Sequence, residues 1–172
     1  MRVHTSAVSG FVALVLATTP VSAQEVGTIE VTPYVAIGSG VAPPVGVMLT
    51  VPITPRLSLE TELGYRRGEG DILALSTSTS LLWLLPRVGH ASPYLAAGVG
   101  MAQYGRPVLS LSGPPIGTQR SVAMTVNAGG GLKMPVTDRL ELRSDARWFK
   151  MFGRGTDEFR VAQGLSFDVG RR

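Results

Sequence analysis

The chain contains no cysteine, which excludes disulfides, thiolate metal sites and thiol nucleophiles. Histidine is nearly as scarce, with only His4 and His90, so a transition-metal site lacks nitrogen ligands. Carboxylates interleaved with arginine do not make the oxygen-ligand loop that calcium needs. Charge is sparse too: charged residues are 16% of the chain, and the net charge of +4 goes with a pI near 10.0. Basic and acidic groups alternate, and Arg-Arg pairs occur only at Arg66-Arg67 and Arg171-Arg172. This is not the clustered basic surface that wraps nucleic acid. Long apolar runs are also missing. No stretch reaches the roughly 18 residues that suggest a spanning helix, so any membrane role of the mature chain falls to strands.

What is present begins with a secretory pattern. Arg2 and His4 form a short polar start, Phe11 to Ala17 supplies the apolar centre F-V-A-L-V-L-A, and Val21-Ser22-Ala23 offers small residues for a signal peptidase. The expectation is a signal peptide over 1–23, cleavage before Gln24, and one mature domain over 24–172. Arg2 is the only charged residue in the leader, so the mature chain carries 15 basic and 12 acidic side chains, or +3.

Beyond the leader, a two-residue period dominates. In Arg139 to Met151, Leu140, Leu142, Ser144, Ala146 and Trp148 share one parity, while Glu141, Arg143, Asp145 and Arg147 share the other. A pleated strand sends these sets to opposite faces. Similar alternation marks Thr28–Gly38, Val45–Ile53, Leu57–Arg66, Leu73–Leu85, Pro93–Tyr104, Ser121–Met134 and Phe159–Gly170. Pro33 weakens the centre of the first segment, and Leu73–Leu85 also admits a helical reading, against which its serines and threonines argue. Gly105 to Arg120 reads as a long polar connection, and no exact sequence repeat stands out. Eight segments of roughly 9 to 13 residues with alternating short and long connections fit an all-β, eight-stranded antiparallel up-and-down transmembrane barrel.

The charged parity then faces a lumen. It offers Glu30, Glu60, Glu62, Glu141, Asp145 and Asp168 against Arg66, Lys133, Arg143, Arg147 and Arg160, a nearly balanced set able to pair across a narrow polar interior. Gly64, Gly98, Gly100, Gly129, Gly131 and Gly164 either leave room for these long side chains or permit strand curvature. On the apolar parity, Tyr65, Trp148 and Phe159 are expected in an outer aromatic girdle and Trp83 and Phe167 in an inner one.

With these segments in place, the chain resembles the bacterial outer-membrane beta-barrel family of small eight-stranded proteins, similar to the membrane domain of outer membrane protein A. The likeness lies in P-Y-L-A-A-G-V-G at Pro93 to Gly100, N-A-G-G-G-L-K-M-P at Asn127 to Pro135, L-R-S-D-A-R-W at Leu142 to Trp148 and G-L-S-F at Gly164 to Phe167. The resemblance implies outer-membrane lipid and the barrel assembly machinery as partners. Many family members end on an aromatic residue read by that machinery; this chain ends F-D-V-G-R-R, with Phe167 a few residues inside.

Catalysis finds little support. His90-Ala91-Ser92 is superficially similar to the His-x-Ser arrangement of lipid A deacylases, but it sits in a turn segment with no acid nearby in sequence. Glu60 and Glu62 share their face with arginines, which favours pairing over acid–base work, and the glycine runs lack the strand-to-helix context of a nucleotide loop. The reading is a non-enzymatic outer-membrane barrel without a cofactor, monomeric, with a charged and occluded lumen. Its role is structural or surface-interacting, with loops open to an extracellular partner. The alternatives are a soluble periplasmic lipocalin-like binding barrel, a small pore or a lipid-modifying barrel enzyme.

Overall fold

A computed structural model describes residues 28–38, 45–67, 73–108, 117–152 and 156–169. The expected signal peptide, the Gly170 end of the last segment and the Arg171-Arg172 pair lie outside them.

Eight strands follow in chain order: β1 (Ile29–Gly38), β2 (Val45–Thr54), β3 (Leu57–Arg67), β4 (Leu73–Leu84), β5 (Ser92–Val108), β6 (Gly117–Thr137), β7 (Leu140–Met151) and β8 (Thr156–Val169). Each pairs antiparallel with the next, and β8 pairs with β1 to close the barrel. The segment from Leu73 is a strand throughout, so the helical alternative is overturned. Three strands outrun their sequence patterns. β5 has 17 residues, β6 has 21, and β8 begins at Thr156 instead of Phe159. The long connection expected over Gly105 to Arg120 contracts accordingly, because the β5–β6 ladder continues to Val108↔Gly117. Among the described residues, the ladders of this hairpin with β4 and β7 end at Leu73↔Gly105 and Thr125↔Met151.

Pro33 does not interrupt β1. It pairs in register with Val47 of β2, but the β8 ladder goes directly from Val31↔Phe167 to Tyr34↔Gly164. With no N–H to donate, proline leaves a gap in the ladder while the register on both sides is unchanged.

Alternation sets two environments. Inward side chains are buried along every strand, as in the burial of Glu30, Thr32, Tyr34 and Ala36 on β1. Outward ones form an exposed apolar belt that includes Leu49, Leu63, Leu81, Leu95, Val99, Met124 and Leu165. The only clusters of buried apolar side chains among the described residues are small: Tyr34, Ala36, Met48 and Ala162, and Leu82, Leu84, Tyr94 and Ala96. The usual order of a soluble protein is reversed, with oil outside and charge inside.

The tight turns at 55–56, 85–91 and 138–139 share one end of the barrel with both ends of the described chain, here called the turn end. The other four connections lie at the opposite end, here called the loop end.

Candidate functional site

The lumen is where the strands converge their chemistry. Near the turn end, Lys133 of β6 pairs with Glu30 of β1, and Thr32 and Ser166 hydroxyls meet at 2.8 Å across the β1–β8 pair. Leu82, Leu84 and Ala96 pack there around the Tyr94 ring.

At mid-height, β7 projects Arg143, Asp145 and Arg147 from alternate positions. Glu60 of β3 receives both arginines: Arg147 Nη2 donates to Oε1 at 2.6 Å, and Arg143 Nη1 lies 2.6 Å from Oε2. Asp145 accepts from Tyr94 Oη at 2.6 Å and from Arg147 Nη2 at 2.9 Å. Arg143 Nε donates to Tyr94 Oη at 2.8 Å, and its guanidinium lies 4.9 Å from that ring's centre. Arg147 and Glu60 are each 0% exposed and Arg143 1%. Burial of this depth is tolerable because nearly every charge faces an opposite one, although Arg160 Nε and Asn127 Nδ2 are buried without a hydrogen-bond partner.

Toward the loop end, Arg160 of β8 pairs with both oxygens of Glu62, with Nη2 at 2.9 Å from Oε2. Tyr34 Oη donates to the same carboxylate at 2.7 Å, and the guanidinium lies between the Tyr34 and Phe149 rings at 5.0 and 4.8 Å. Arg160 Nη2 stands 3.9 Å from Asp145 Oδ1, which connects this tier to the one below. Arg66 and Glu158 pair at the rim. Beneath the rim is a cup of about 620 Å³, counting its open mouth, lined by Tyr34, Glu62, Ser78, Thr125, Phe149 and Arg160 among others.

Of the residues expected in the lumen from sequence, Glu60, Glu62, Lys133, Arg143, Asp145, Arg147 and Arg160 meet there with Glu30. Arg66 stands apart at the rim with Glu158 as its partner, a residue of β8 that lies just before the alternating segment beginning at Phe159. Glu141 and Asp168 are half-buried at the turn end, and Glu141 makes no ion pair among the described residues. Tyr34 and Tyr94 were legible as inward residues but not as network members, although a tyrosine on a parity crowded with charge is a signal of that role. The glycines serve these rings as much as the charged chains. A Cβ on Gly131 would meet Tyr94 Cζ at 2.6 Å, and one on Gly46 would meet Tyr34 Cζ at 2.8 Å. The aromatic set lies outward and exposed: Trp83 and Phe167 toward the turn end, and Tyr65, Trp148 and Phe159 toward the loop end, with Trp148 opposite Phe159 in register.

Among solved structures, the chain matches the N-terminal beta-barrel domain of Pseudomonas aeruginosa OprF with a TM-score of 0.64 and 16% identity, covering 83% of this chain and 97% of that one. This is the fold of the small eight-stranded outer-membrane barrels. Neisserial surface protein A matches with a TM-score of 0.63 and 13% identity over 83% of this chain and 96% of that one. The outer membrane enzyme PagL matches with a TM-score of 0.53 and 15% identity over 81% and 99%. No family model and no curated protein matches the sequence.

The barrel fold hosts an enzyme among its examples, so activity has to be argued from side chains. His90 is exposed in the turn beside Gly89, whose φ is 60°. Ser92 Oγ accepts Arg87 Nε at 3.1 Å. The lumen carboxylates Glu60, Glu62 and Asp145 are all engaged by arginine, which fits them for holding the barrel and not for exchanging protons with a substrate.

Proposed function

We propose that the mature chain, 24–172 after loss of a signal peptide over 1–23, is a non-enzymatic barrel of the bacterial outer membrane. Its lumen is closed by ion pairs, and its role is structural or one of contact at the cell surface. The observation that carries the reading is the inversion of the two faces: an exposed belt of Leu, Val, Met and aromatic side chains outside, and fully buried Arg143, Arg147 and Glu60 inside. A soluble lipocalin-like barrel needs the reverse, because an apolar outer belt of this extent is unstable in water. Lipid satisfies the belt, and closure of the sheet satisfies the backbone. The likeness to the OprF and Neisserial surface protein A barrels supports the same reading. Outer-membrane lipid is then the surrounding partner, the barrel assembly machinery the route of insertion, and an extracellular partner at the loop end the natural place for a surface contact.

Envelope fractionation tests this. The mature protein is expected to stay with the outer membrane until detergent is added and to migrate as a heat-modifiable band. Complete release by osmotic shock alone refutes the membrane placement.

A further inference from the structure

Two of the three tight turns repeat each other. Pro52-Ile53-Thr54-Pro55-Arg56-Leu57 and Pro135-Val136-Thr137-Asp138-Arg139-Leu140 share proline, threonine, arginine and leucine at the same places, and the structures match as well. Each follows a register shift, between Pro52 and Thr54 and between Pro135 and Thr137. Thr54 Oγ1 accepts the Arg56 N–H at 3.3 Å, and Thr137 Oγ1 accepts the Arg139 N–H at 3.4 Å. The arginine carbonyl then accepts an N–H from the second strand after the turn, Leu84 of β4 onto Arg56 at 2.8 Å and Asp168 of β8 onto Arg139 at 3.2 Å. Finally, the leucine of each repeat pairs in register with an outward aromatic, Leu57 with Trp83 and Leu140 with Phe167.

The bend explains the threonine, since a hydroxyl that accepts a backbone N–H closes a turn. It does not call for an arginine beside an exposed aromatic. Both arginines are exposed, and Ile53 and Val136 just before them are 50% and 58% exposed. The third turn supplies Arg87, held by Ser92, next to Val88 at 73% exposure. Four strands in a ring of eight separate the two repeats, so they stand on opposite sides of the barrel. Among the described residues, the acids at this end are Asp138 within the second repeat, the half-buried Glu141 and Asp168, and Glu30, which is buried and paired with Lys133. Guanidinium groups take phosphate oxygens through paired N–H donors, while aromatic and aliphatic side chains settle at the level just below headgroups.

We propose that Arg56 and Arg139, assisted by Arg87, bind the phosphates of phospholipid headgroups in the leaflet around the turn end, with a preference for anionic phospholipid. The site rests on the membrane placement proposed above. A basic side chain near an anionic surface supplies about a five-fold preference.

The test uses the mature chain folded into nanodiscs of equimolar phosphatidylglycerol and phosphatidylethanolamine, with retained lipid read by native mass spectrometry. A heat-modifiable gel shift and co-flotation with vesicles are scored first, and their failure counts against the membrane placement. In an inserted barrel, the expected result is roughly five-fold enrichment of phosphatidylglycerol, falling to near parity in R56Q/R139Q and persisting in R120Q/K150Q, which alters exposed charges toward the loop end. Should the glutamine variant not fold, the parent in about 1 M salt, where screening acts over about 3 Å, is expected to lose the enrichment. Parity in the parent, enrichment that survives both R56Q/R139Q and high salt, or an equal loss in R120Q/K150Q overturns the proposal. So does arginine-dependent pelleting with purified peptidoglycan without any lipid preference.

Discussion

Arg147 shows how the lumen is held. It reaches Glu60, Asp145 and Ser80 from one side chain and is wholly buried. Arg147→Ala leaves Glu60 with Arg143 as its one remaining arginine and takes from Asp145 its closest arginine, and breaking such buried pairs typically costs about 3 to 5 kcal/mol. Urea unfolding of the folded variant in detergent checks this, and a change of only a few tenths contradicts a stabilising network through that arginine. Tyr94→Phe removes only the hydroxyl between Arg143 and Asp145 and is expected to lose about 1.5 to 3 kcal/mol in the same assay, because the hydrogen bonds lost go to charged groups. Side-chain direction was legible from the sequence at this scale because, in a strand, position alone decides the face. Partner choice was not. Glu60 and Arg147 are 87 residues apart, and which acid meets which base depends on the stagger of strands around the wall.

Among the elements, β7 was legible because charge and small or apolar residues alternate from Leu140 to Trp148, although Phe149 and Lys150 break the pattern at its end, and β4 was legible despite its serines. The ends of β5, β6 and β8 were not. Around Gly105 to Val108 and Gly117 to Arg120, glycine, proline and polar residues hide the period, and the strand persists there through its ladder with the neighbouring strand. The turn repeat is not legible in the sequence alone, since only four of its six residue types coincide and their shared geometry lies in the backbone. The outward face yields a depth test. Val99, exposed and opposite Thr79 near the middle of β4, is expected to lose about 2 to 4 kcal/mol of folding stability in lipid on change to arginine, whereas Ile53→Arg beside the turn end costs about 0 to 1 kcal/mol. Equal penalties, measured by reversible unfolding in lipid vesicles, place the belt wrongly.

For the whole molecule, eight strands enclose a space that side chains can fill, and here the filling is ionic from Lys133 and Glu30 near the turn end to Arg160 and Glu62 below the cup. Purified monomer in a planar bilayer is therefore expected to show no large, reproducible conductance; such a conductance favours the pore alternative. The number of strands was legible as eight alternating segments. Closure of the last onto the first was expected by analogy of pattern, since no local period in β1 or β8 records it.

The break in hydrogen bonding at Pro33 gives that closure a particular character. A cylinder of strands is one sheet with a single seam, and here the seam joins the first strand to the last, the only neighbours that no loop ties together. Along it the ladder skips Thr32 and Pro33, and the Thr32–Ser166 hydroxyl contact bridges the interval from inside. A zip with a missing tooth parts beside the gap. Amide exchange should consequently begin in the β1–β8 seam near Val31 and Leu165 and reach the long β5–β6 ladder last, so that the wall opens along its newest join while the opposite side stays whole.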